Sequence, residues 1–332
     1  MRLLAKPSGA RVLMACLVAC AFVVLATQEA PAQEFPLTIE HKFGTTVIEA
    51  APERVASVDY NGADNLLALG IQPVAIRSWY GDHPKTVWPW AADLLTAEPE
   101  VLRGELNFEQ VAASEPDVII ATWSGITAEE YEQLSKIAPV VAVPEGVGDY
   151  ALPWDELALI AGEATGKRDQ AVALVAALRA EMAAISGRNP DWEGKTASVA
   201  YYWRDTPGVY AGDDIRPLLL ANLGLETPSI INETAGEGEF AVSFSEEELG
   251  ILEADVLIWI TDGSEAQRDK IEGLALRPSL AAFTEGREVF TDDILTGAFS
   301  HGSLLSLPFA LSRLEPKIAA AIDGDPATVV PD

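Results

Sequence analysis

One segment pattern occurs twice in this chain of 332 residues, and the repetition restricts the folds that the chain can adopt. Residues 106–125 (LNFEQVAASEPDVIIATWSG) contain a short amphipathic helix, a Glu-Pro break and an apolar run. Residues 243–263 (SFSEEELGILEADVLIWITDG) repeat that order. A short continuous apolar run is typical of a strand buried on both faces, as in a parallel sheet. The repetition therefore predicts two α/β units of similar build.

Strands and helices alternate through both units. Runs typical of strands are RVASVD, PVAIRS, DVIIAT, PVVAVP, ASVAYYW, GVYAG and EVF, whereas ADNLLALG, TAEEYEQLSKIA and IRPLLLANLG are typical of helices. The predicted fold class is α/β, with mostly parallel sheets in two lobes. Ligands of open α/β sheets bind at the carboxyl ends of the strands, so two facing sheets would form a ligand cleft between the lobes.

A long amphipathic segment separates the two units. After Gly166, apolar residues recur at helical spacing to about Ser186, which at 1.5 Å per residue gives a helix of roughly 30 Å. Such a helix could connect two lobes, although an ordinary core helix of a single domain is an alternative. The predicted divisions are a first lobe at 33–165, a connecting helix at 166–189, a second lobe at 190–324 and a flexible tail at 325–332.

The N-terminus has the pattern of an export signal. Basic residues precede the apolar segment 12–26, and Ala-Pro-Ala at 30–32 provides a small-x-small cleavage site. The apolar segment is shorter than the roughly 20 residues of a transmembrane helix. We therefore predict a signal peptide over residues 1–32 and a location in the periplasm or at the outer face of the cytoplasmic membrane. The sequence LVAC at 17–20 resembles a lipoprotein cleavage box, so a lipid anchor at Cys20 is an alternative.

Composition excludes several kinds of partner. The net charge of −29 repels nucleic acid and anionic lipid headgroups, so neither is expected to bind. We interpret this charge as a solvated surface suited to high salt, because no segment matches a calcium-binding loop. Both cysteines lie within residues 1–32, so the mature chain is expected to be stable without disulfides. A monomer is expected.

Phrases spread over residues 54–322 carry a resemblance to a known family. They are RVASVDYNGADNLLALGIQPVAI, PEVLRGELNFEQVAASEPDVIIATWSG, YEQLSKIAPVV, AVSFSEEELGILEADVLI and FSHGSLLSLPFALSRL. In their order and spacing they resemble the substrate-binding proteins of bacterial ABC importers for iron-siderophore complexes, the class with two rigid lobes and one long connecting helix. The resemblance implies a binding protein and not an enzyme, which captures a ferric siderophore and delivers it to an inner-membrane ABC permease dimer. It implies no cofactor.

The resemblance also implies two permease-docking residues. In this family one glutamate on each lobe meets arginines of the permease. Glu109 precedes Asp117 by eight positions, just as Glu247 precedes Asp255, so both glutamates stand at matching places in the repeat. The alternative for Glu109 is a solvated residue favoured by the positive end of a helix dipole. The glutamates on either side of Glu247 leave its register open by one position.

A ferric siderophore is a bulky, partly apolar and often anionic chelate whose iron is already bound by its own oxygens. Its site needs aromatic walls and a few cations or hydrogen-bond donors. Candidates in loops that follow predicted strands or precede the last helix are Tyr60, Asn61, Trp79, Tyr80, Trp123, Ser124, Tyr202, Trp203, Arg204, Phe299 and His301. For Trp123 and His301 a structural role in the core is the alternative. Arg103 stands where hydroxamate-binding members carry a ligand-binding arginine; its alternative is a surface salt bridge.

Other ligands and other protein classes are alternatives to this interpretation. Haem or a corrinoid is possible in the same fold because aromatic walls suit those ligands equally. A zinc- or manganese-binding relative would need clustered imidazoles and carboxylates, but His41, His83 and His301 have no ligand spacing, so no metal site is predicted. An exported hydrolase is less consistent, since the chain has no Gly-x-Ser-x-Gly or His-Glu-x-x-His motif.

Overall fold

The computed structural model describes residues 33–236 and 238–331, so the predicted signal peptide and Cys20 lie outside the described residues. Strands are β1 (Leu37–His41), β2 (Gly44–Ile48), β3 (Val55–Ser57), β4 (Ala75–Arg77), β5 (Glu100–Leu102), β6 (Val118–Ala121), β7 (Val140–Ala142), β8 (Ala197–Trp203), β9 (Thr206–Tyr210), β10 (Ala241–Ser243), β11 (Val256–Ile260) and β12 (Glu288–Phe290). Helices are α1 (Asp64–Ala68), α2 (Phe108–Ala113), α3 (Ala128–Leu134), α4 (Trp154–Ala164), α5 (Arg168–Arg188), α6 (Ile215–Ala221), α7 (Ser229–Ala235), α8 (Glu265–Glu272), α9 (Ala281–Thr284), α10 (Asp293–His301) and α11 (Ser306–Ala321). Two sheets with helices and a long helix confirm the predicted α/β class.

The two large sheets share one strand order. The first runs β5-β4-β3-β6-β7 and the second runs β10-β9-β8-β11-β12. All pairs in the first sheet are parallel. In the second sheet β8, β11 and β12 are parallel, but β9 and β10 are antiparallel additions. The reversal occurs at Arg204 and Asp205, whose φ angles of 50° and 59° form a tight hairpin turn.

The repeated Asp of the sequence pattern fastens the two central strand pairs. The Asp117 carboxylate, just before β6, accepts hydrogen bonds from the backbone N–H groups of Glu53 (2.8 Å) and Arg54 (3.0 Å), just before β3. The Asp255 carboxylate, just before β11, accepts from the N–H of Thr196 (2.7 Å), just before β8. Each Asp thus sets the start of a parallel pair. The repeat is therefore a device for building the same sheet twice.

Helix α5 belongs to the hydrophobic cores on both sides of it. Near its start, Ala171 packs in the core of the first sheet with Ala161 and Ala164 of α4. Further along, its buried residues lie in the core of the second sheet; they are Val175, Leu178, Met182 and Ile185. The exposed face is held by ion pairs of Arg179 with Asp155 and of Arg188 with Glu315. One continuous helix therefore fixes the two lobes to each other.

Helices α4 and α5 approach closely at Gly162. A Cβ atom added there would lie 2.4 Å from the Cβ of Ala171, closer than two carbon atoms can pack. Both atoms are fixed to helix backbones, so neither could move away without shifting a helix. Gly162 is therefore required for the position of α5 against the first lobe.

One element differs from its sequence-based prediction. Phe299 to His301, expected in a loop, form the end of α10, which Asp292 caps by accepting from the N–H of Leu295 (2.6 Å). An Asp three positions before Leu295 was a helix-start signal that the prediction overlooked. In the C-terminal stretch, Val330 packs on the core of the second lobe, whereas Val329 is exposed.

We expect Gly162→Ala to lower the free energy of unfolding by about 1 to 3 kcal/mol, because the added methyl group overpacks the contact with Ala171. Gly187→Ala is the matched control: it lies in the last turn of α5, and no atom lies within 4 Å of its added Cβ. That control should stabilise the chain by up to about 1 kcal/mol through helix propensity. Urea unfolding measures the free energy of unfolding of both variants. An equal change in the two variants would contradict the role assigned to Gly162.

Candidate functional site

A cavity of about 790 Å³ opens between the two lobes. It lies beyond the carboxyl ends of β4, β8 and β11, where a ligand of an α/β sheet is expected. Aromatic rings of both lobes line it; they are Tyr80, Trp88, Tyr201, Tyr202, Trp203, Tyr210 and Phe240. Polar side chains at its edge include Gln267, Thr261 and Thr296. The cavity therefore offers ring faces and a few hydrogen-bonding groups.

The aromatic wall of the first lobe continues beyond the cavity lining. The ring of Trp79 lies 4.6 Å from that of Tyr80, 6.2 Å from that of Tyr60 and 5.2 Å from that of Trp123. The Trp123 indole is buried and donates its Nε1–H to the carbonyl of Tyr150 (3.1 Å). Trp79 and Tyr60 are half-buried, so their outer edges face solvent beside the cavity. The rings fix one another's orientation by edge-to-face contact.

The buried side chain of Arg77 packs against the Tyr60 ring of this aromatic wall. Arg77, the last residue of β4, donates from Nη2 to the Tyr60 hydroxyl (2.8 Å) and from Nη1 to the carbonyl of Ser124 (3.1 Å). Its guanidinium carbon lies 4.0 Å from the centre of the Tyr60 ring. Sequence reasoning missed Arg77, although a cation that ends an otherwise apolar strand is a usable signal. The contacts hold Tyr60 and the loop after β6 in fixed positions.

A second buried arginine holds an aromatic ring of the other lobe. Arg216 Nη1 donates to both Asp214 carboxylate oxygens (2.9 Å each), and its Nη2 donates to Ser300 Oγ (2.9 Å). Its guanidinium carbon lies 4.0 Å from the centre of the Tyr210 ring, which lines the cavity. Burial lowers the pKa of Arg216, but the Asp214 carboxylate together with the Tyr210 and Tyr80 hydroxyls raises it above its usual value. The guanidinium is therefore permanently charged and paired.

His301 closes the floor of the site. Its imidazole is buried, with Nδ1 hydrogen-bonded to the carbonyl of Gly297 (2.8 Å) and with its centroid 5.3 Å from those of Trp88 and Trp90. Burial lowers the pKa of His301 to about 4, so the ring is neutral at neutral pH. Gly297 has no side chain, which allows the Trp88 ring of the first lobe to lie directly on α10. The floor is thus a packed contact between the lobes.

A polar link lies beneath this floor. Asp64 Oδ2 accepts from Trp90 Nε1–H (2.7 Å) and from the Ser303 hydroxyl (2.7 Å), which belongs to the segment between α10 and α11. Asn65 Oδ1 accepts from the N–H of Leu304 (3.0 Å). Burial raises the pKa of Asp64 to about 6. These bonds join the start of α1 to the second lobe. The two lobes are therefore connected at a second place besides α5.

The structure separates the predicted ligand-binding residues by position. The residues that line the cavity are Tyr80, Tyr202 and Trp203, and Trp203 is 65% exposed at its mouth. Tyr60 and Trp79 belong to the adjoining aromatic wall. The buried residues are Asn61, Trp123, Ser124, Phe299 and His301.

Three of the predicted residues have positions that need physical explanation. Phe299 has no exposed surface and packs in the core of the second lobe, because it lies on the inner face of α10 and not in a loop. Arg103 is exposed, and its Nη1 lies 3.4 Å from Ser78 Oγ, outside the cavity lining. Arg204 occupies the hairpin turn after Trp203 and is exposed outside the lining.

Tyr210 and Phe240 are lining residues that the sequence analysis did not select. Tyr210 ends β9, which runs opposite to β8, and Phe240 immediately precedes β10, which pairs antiparallel with β9. The predicted candidates instead follow strands, precede the last helix or, like Arg103, precede α2. The tyrosine within the short run GVYAG was the available signal for Tyr210.

Glu109 and Glu247 occupy equivalent positions at the start of two helical segments. Glu109 is the second residue after Asn107, which caps α2 by accepting from the N–H of Glu109 (3.0 Å). Glu247 is the second residue after Ser245, which caps the 3₁₀ segment Glu246–Leu252. Glu248 Oε2 accepts a hydrogen bond from the Ser245 hydroxyl (2.9 Å). Both Glu109 and Glu247 are exposed.

No group of three or more His, Cys, Asp or Glu side chains is placed to hold a metal ion within residues 33–236 and 238–331. His41 bonds to Thr46 Oγ1 (2.9 Å) away from the cavity, and the Trp88 ring lies between His83 and His301 in contact with both. The described site therefore suits a ligand bound by ring faces and hydrogen bonds.

Comparisons with known proteins agree with this architecture. A family model described as periplasmic binding protein matches residues 55–292. The probable siderophore-binding lipoprotein YfiY of Bacillus subtilis is 30% identical over 234 residues, which are 68% of this chain and 68% of that protein. A periplasmic solute binding protein from Mycobacterium smegmatis has a TM-score of 0.77 at 32% identity, covering 86% of this chain and 98% of that chain. PiaA of Streptococcus pneumoniae TIGR4, in complex with ferrichrome, has a TM-score of 0.75 at 28% identity, covering 87% and 99%.

Proposed function

The chain belongs to the periplasmic binding protein family, and from this premise we propose that it is the substrate-binding component of an ABC importer that captures a ferric siderophore between its lobes. Relatives with a siderophore-binding name and with bound ferrichrome support this choice of ligand. The role requires binding and release without chemistry. It also requires a location outside the cytoplasmic membrane, as the export signal over residues 1–32 predicts.

The aromatic cavity between the lobes is the observation that carries the proposal. Its volume of about 790 Å³ is that of a site for a ligand larger than a metal ion. A ferric siderophore supplies all the oxygen ligands of its iron, so the protein needs ring faces for the organic shell and donors for its oxygens. The Tyr210 hydroxyl and the second Nε2–H of Gln267, whose first is donated to the carbonyl of Tyr202 (3.2 Å), are donors at the lining. The iron is cargo, held by the chelate.

Rigid placement of the rings favours tight capture. Arg77 fixes Tyr60 and Arg216 fixes Tyr210, each with the ring centre 4.0 Å from the guanidinium carbon. A side chain that is already ordered loses less conformational entropy when a ligand binds. The shared helix α5 and the Asp64 link reduce the lobe movement that capture would otherwise require.

Delivery of the ligand requires a contact with the permease, and Glu109 and Glu247 are our proposed docking residues. Each is exposed at the second position after a helix cap, on a different lobe, within the repeated segment. A permease that carries two matching cationic sites would meet both lobes together. Charge pairs of this kind fix the orientation of a complex and accelerate its formation.

Tryptophan fluorescence titration tests the ligand class, with ferrichrome, ferrioxamine B, ferric citrate, ferric enterobactin, haemin and cyanocobalamin as the panel. We expect at least one ferric siderophore to bind with a micromolar or lower Kd, equivalent to about −8 kcal/mol or better. Phe240→Ala should weaken that binding about 10-fold, or ~1.4 kcal/mol, since its ring lines the cavity and is 54% exposed.

Phe283→Ala is the control for this titration, because Phe283 is exposed in the same lobe but lies outside the cavity lining. It should leave Kd unchanged. Binding of haemin or cyanocobalamin alone would contradict the siderophore proposal. An unchanged Kd in Phe240→Ala would exclude this cavity as the site.

Charge reversal tests docking. The double variant Glu109→Lys, Glu247→Lys should abolish siderophore-dependent iron uptake in the source organism and leave the solution Kd unchanged, because docking and capture use different surfaces. The control is Glu53→Lys, Glu226→Lys, which makes the same charge change at exposed residues by the opposite, amino-terminal ends of the two sheets. Retained uptake in the first variant, or equal loss in both, would refute the assignment.

A further inference from the structure

Carboxylates surround the aromatic cavity. Asp82 follows β4 in the first lobe, whereas Glu239, Asp262 and Asp293 come from three segments of the second lobe. All four line the cavity and all four are exposed. Within the described part of the chain, none of them lies in an ion pair. Their charges are therefore available to a ligand.

Cations are not arranged to offset these charges. The described lining contains no Lys or Arg, and His83 is its basic side chain. Arg216 lies behind Tyr210, but its charge is matched by the Asp214 carboxylate at 2.9 Å. Arg204 is outside the lining, with its guanidinium carbon 5.8 Å from the Trp203 ring. The immediate surroundings of a bound ligand are thus negative on both lobes.

Such surroundings discriminate between chelates that differ in charge. An iron tricatecholate or a ferric citrate complex is anionic, so binding would bring like charges together in a partly desolvated cavity, where repulsion exceeds that in water. The core of a ferric trihydroxamate is neutral. An ammonium group attached to such a core would meet the carboxylates, and the exposed rings of Trp203 and Phe240 would provide cation–π faces.

We propose that the cavity selects its ligand by charge, accepting neutral and cationic ferric trihydroxamates, preferring the ammonium-bearing form, and rejecting anionic catecholate and citrate chelates. The inference rests on the proposed function, because it specifies the substrate class of the same cavity. It also replaces the expectation of an anionic chelate bound by Arg103, since that side chain stands outside the lining.

The test compares ferrioxamine B, which carries one ammonium group, with its N-acetylated derivative, which has the same iron core without that charge. At low ionic strength we expect the acetylated form to bind about 3- to 10-fold more weakly, and the difference to shrink in high salt. Ferric enterobactin should bind more weakly than either. A ratio of one or below, or tighter binding of ferric enterobactin, would overturn the proposal.

Two variants locate the origin of the preference. Asp82→Asn, Glu239→Gln removes two of the four lining charges and should clearly reduce the ratio of the two dissociation constants. Asp93→Asn, Glu226→Gln makes the same change in net charge at exposed residues outside the lining and should preserve the ratio. Equal loss in both variants, or no loss in the first, would contradict selection by the cavity. Melting temperatures near the wild-type value verify that both variants fold.

Failure of this inference is distinguishable from failure of the proposed function. If ferric siderophores bind but acetylation leaves Kd unchanged, capture stands and charge selection is wrong. If the whole panel of siderophores fails to bind, both are wrong.

Discussion

Helix α5 is packed into the cores of both lobes, and the geometry of the site depends on that sharing. Its first turns lie with Ala161 and Ala164 against the first sheet, and its remaining buried residues lie in the second core. A helix held on two sides cannot bend freely without exposing apolar surface, which costs about 25 cal/mol for each Å². The Asp64–Ser303 hydrogen bond adds a polar contact between the same two bodies. The walls of the cavity therefore face each other at a nearly fixed separation.

Two buried arginines, Arg77 and Arg216, hold tyrosine rings in position at the binding site, but neither arginine lines the cavity itself. Arg77 and Arg216 each use a planar guanidinium to hold a tyrosine ring and a neighbouring loop or helix. Such a fork of donors is more specific in direction than a lysine ammonium would be. The first lobe and the second reach this arrangement with different partners, a backbone carbonyl in one and an Asp–Ser pair in the other. The cavity that results has rigid rings at its centre and carboxylates at its edge.

Much of the fold could be predicted because its signals are local. The Glu-to-Asp spacing in the repeat, the apolar run of each central strand and the amphipathic pattern of α5 depend on residues close together in sequence. The buried arginines could not be predicted in the same way, because Arg77 bonds to Ser124 and Arg216 to Ser300, contacts that only the folded chain brings together. Phe299 and His301 were expected at a loop because the cap at Asp292 was overlooked. Tyr210 and Phe240 flank the antiparallel pair of β9 and β10, so neither lies in the loops after strands or before the last helix where candidates are predicted.

The distance between the lobes, with and without ligand, tests this account most directly. One spin label is placed on each lobe, at Glu109→Cys and Glu247→Cys, with Cys16 and Cys20 replaced by serine. Pulsed electron paramagnetic resonance then measures the distance between the two labels. We predict a single narrow distribution that shifts by no more than about 3 Å when a ferric siderophore saturates the protein. A second population displaced by about 10 Å or more would show a freely hinged pair of lobes and would contradict the role assigned to α5.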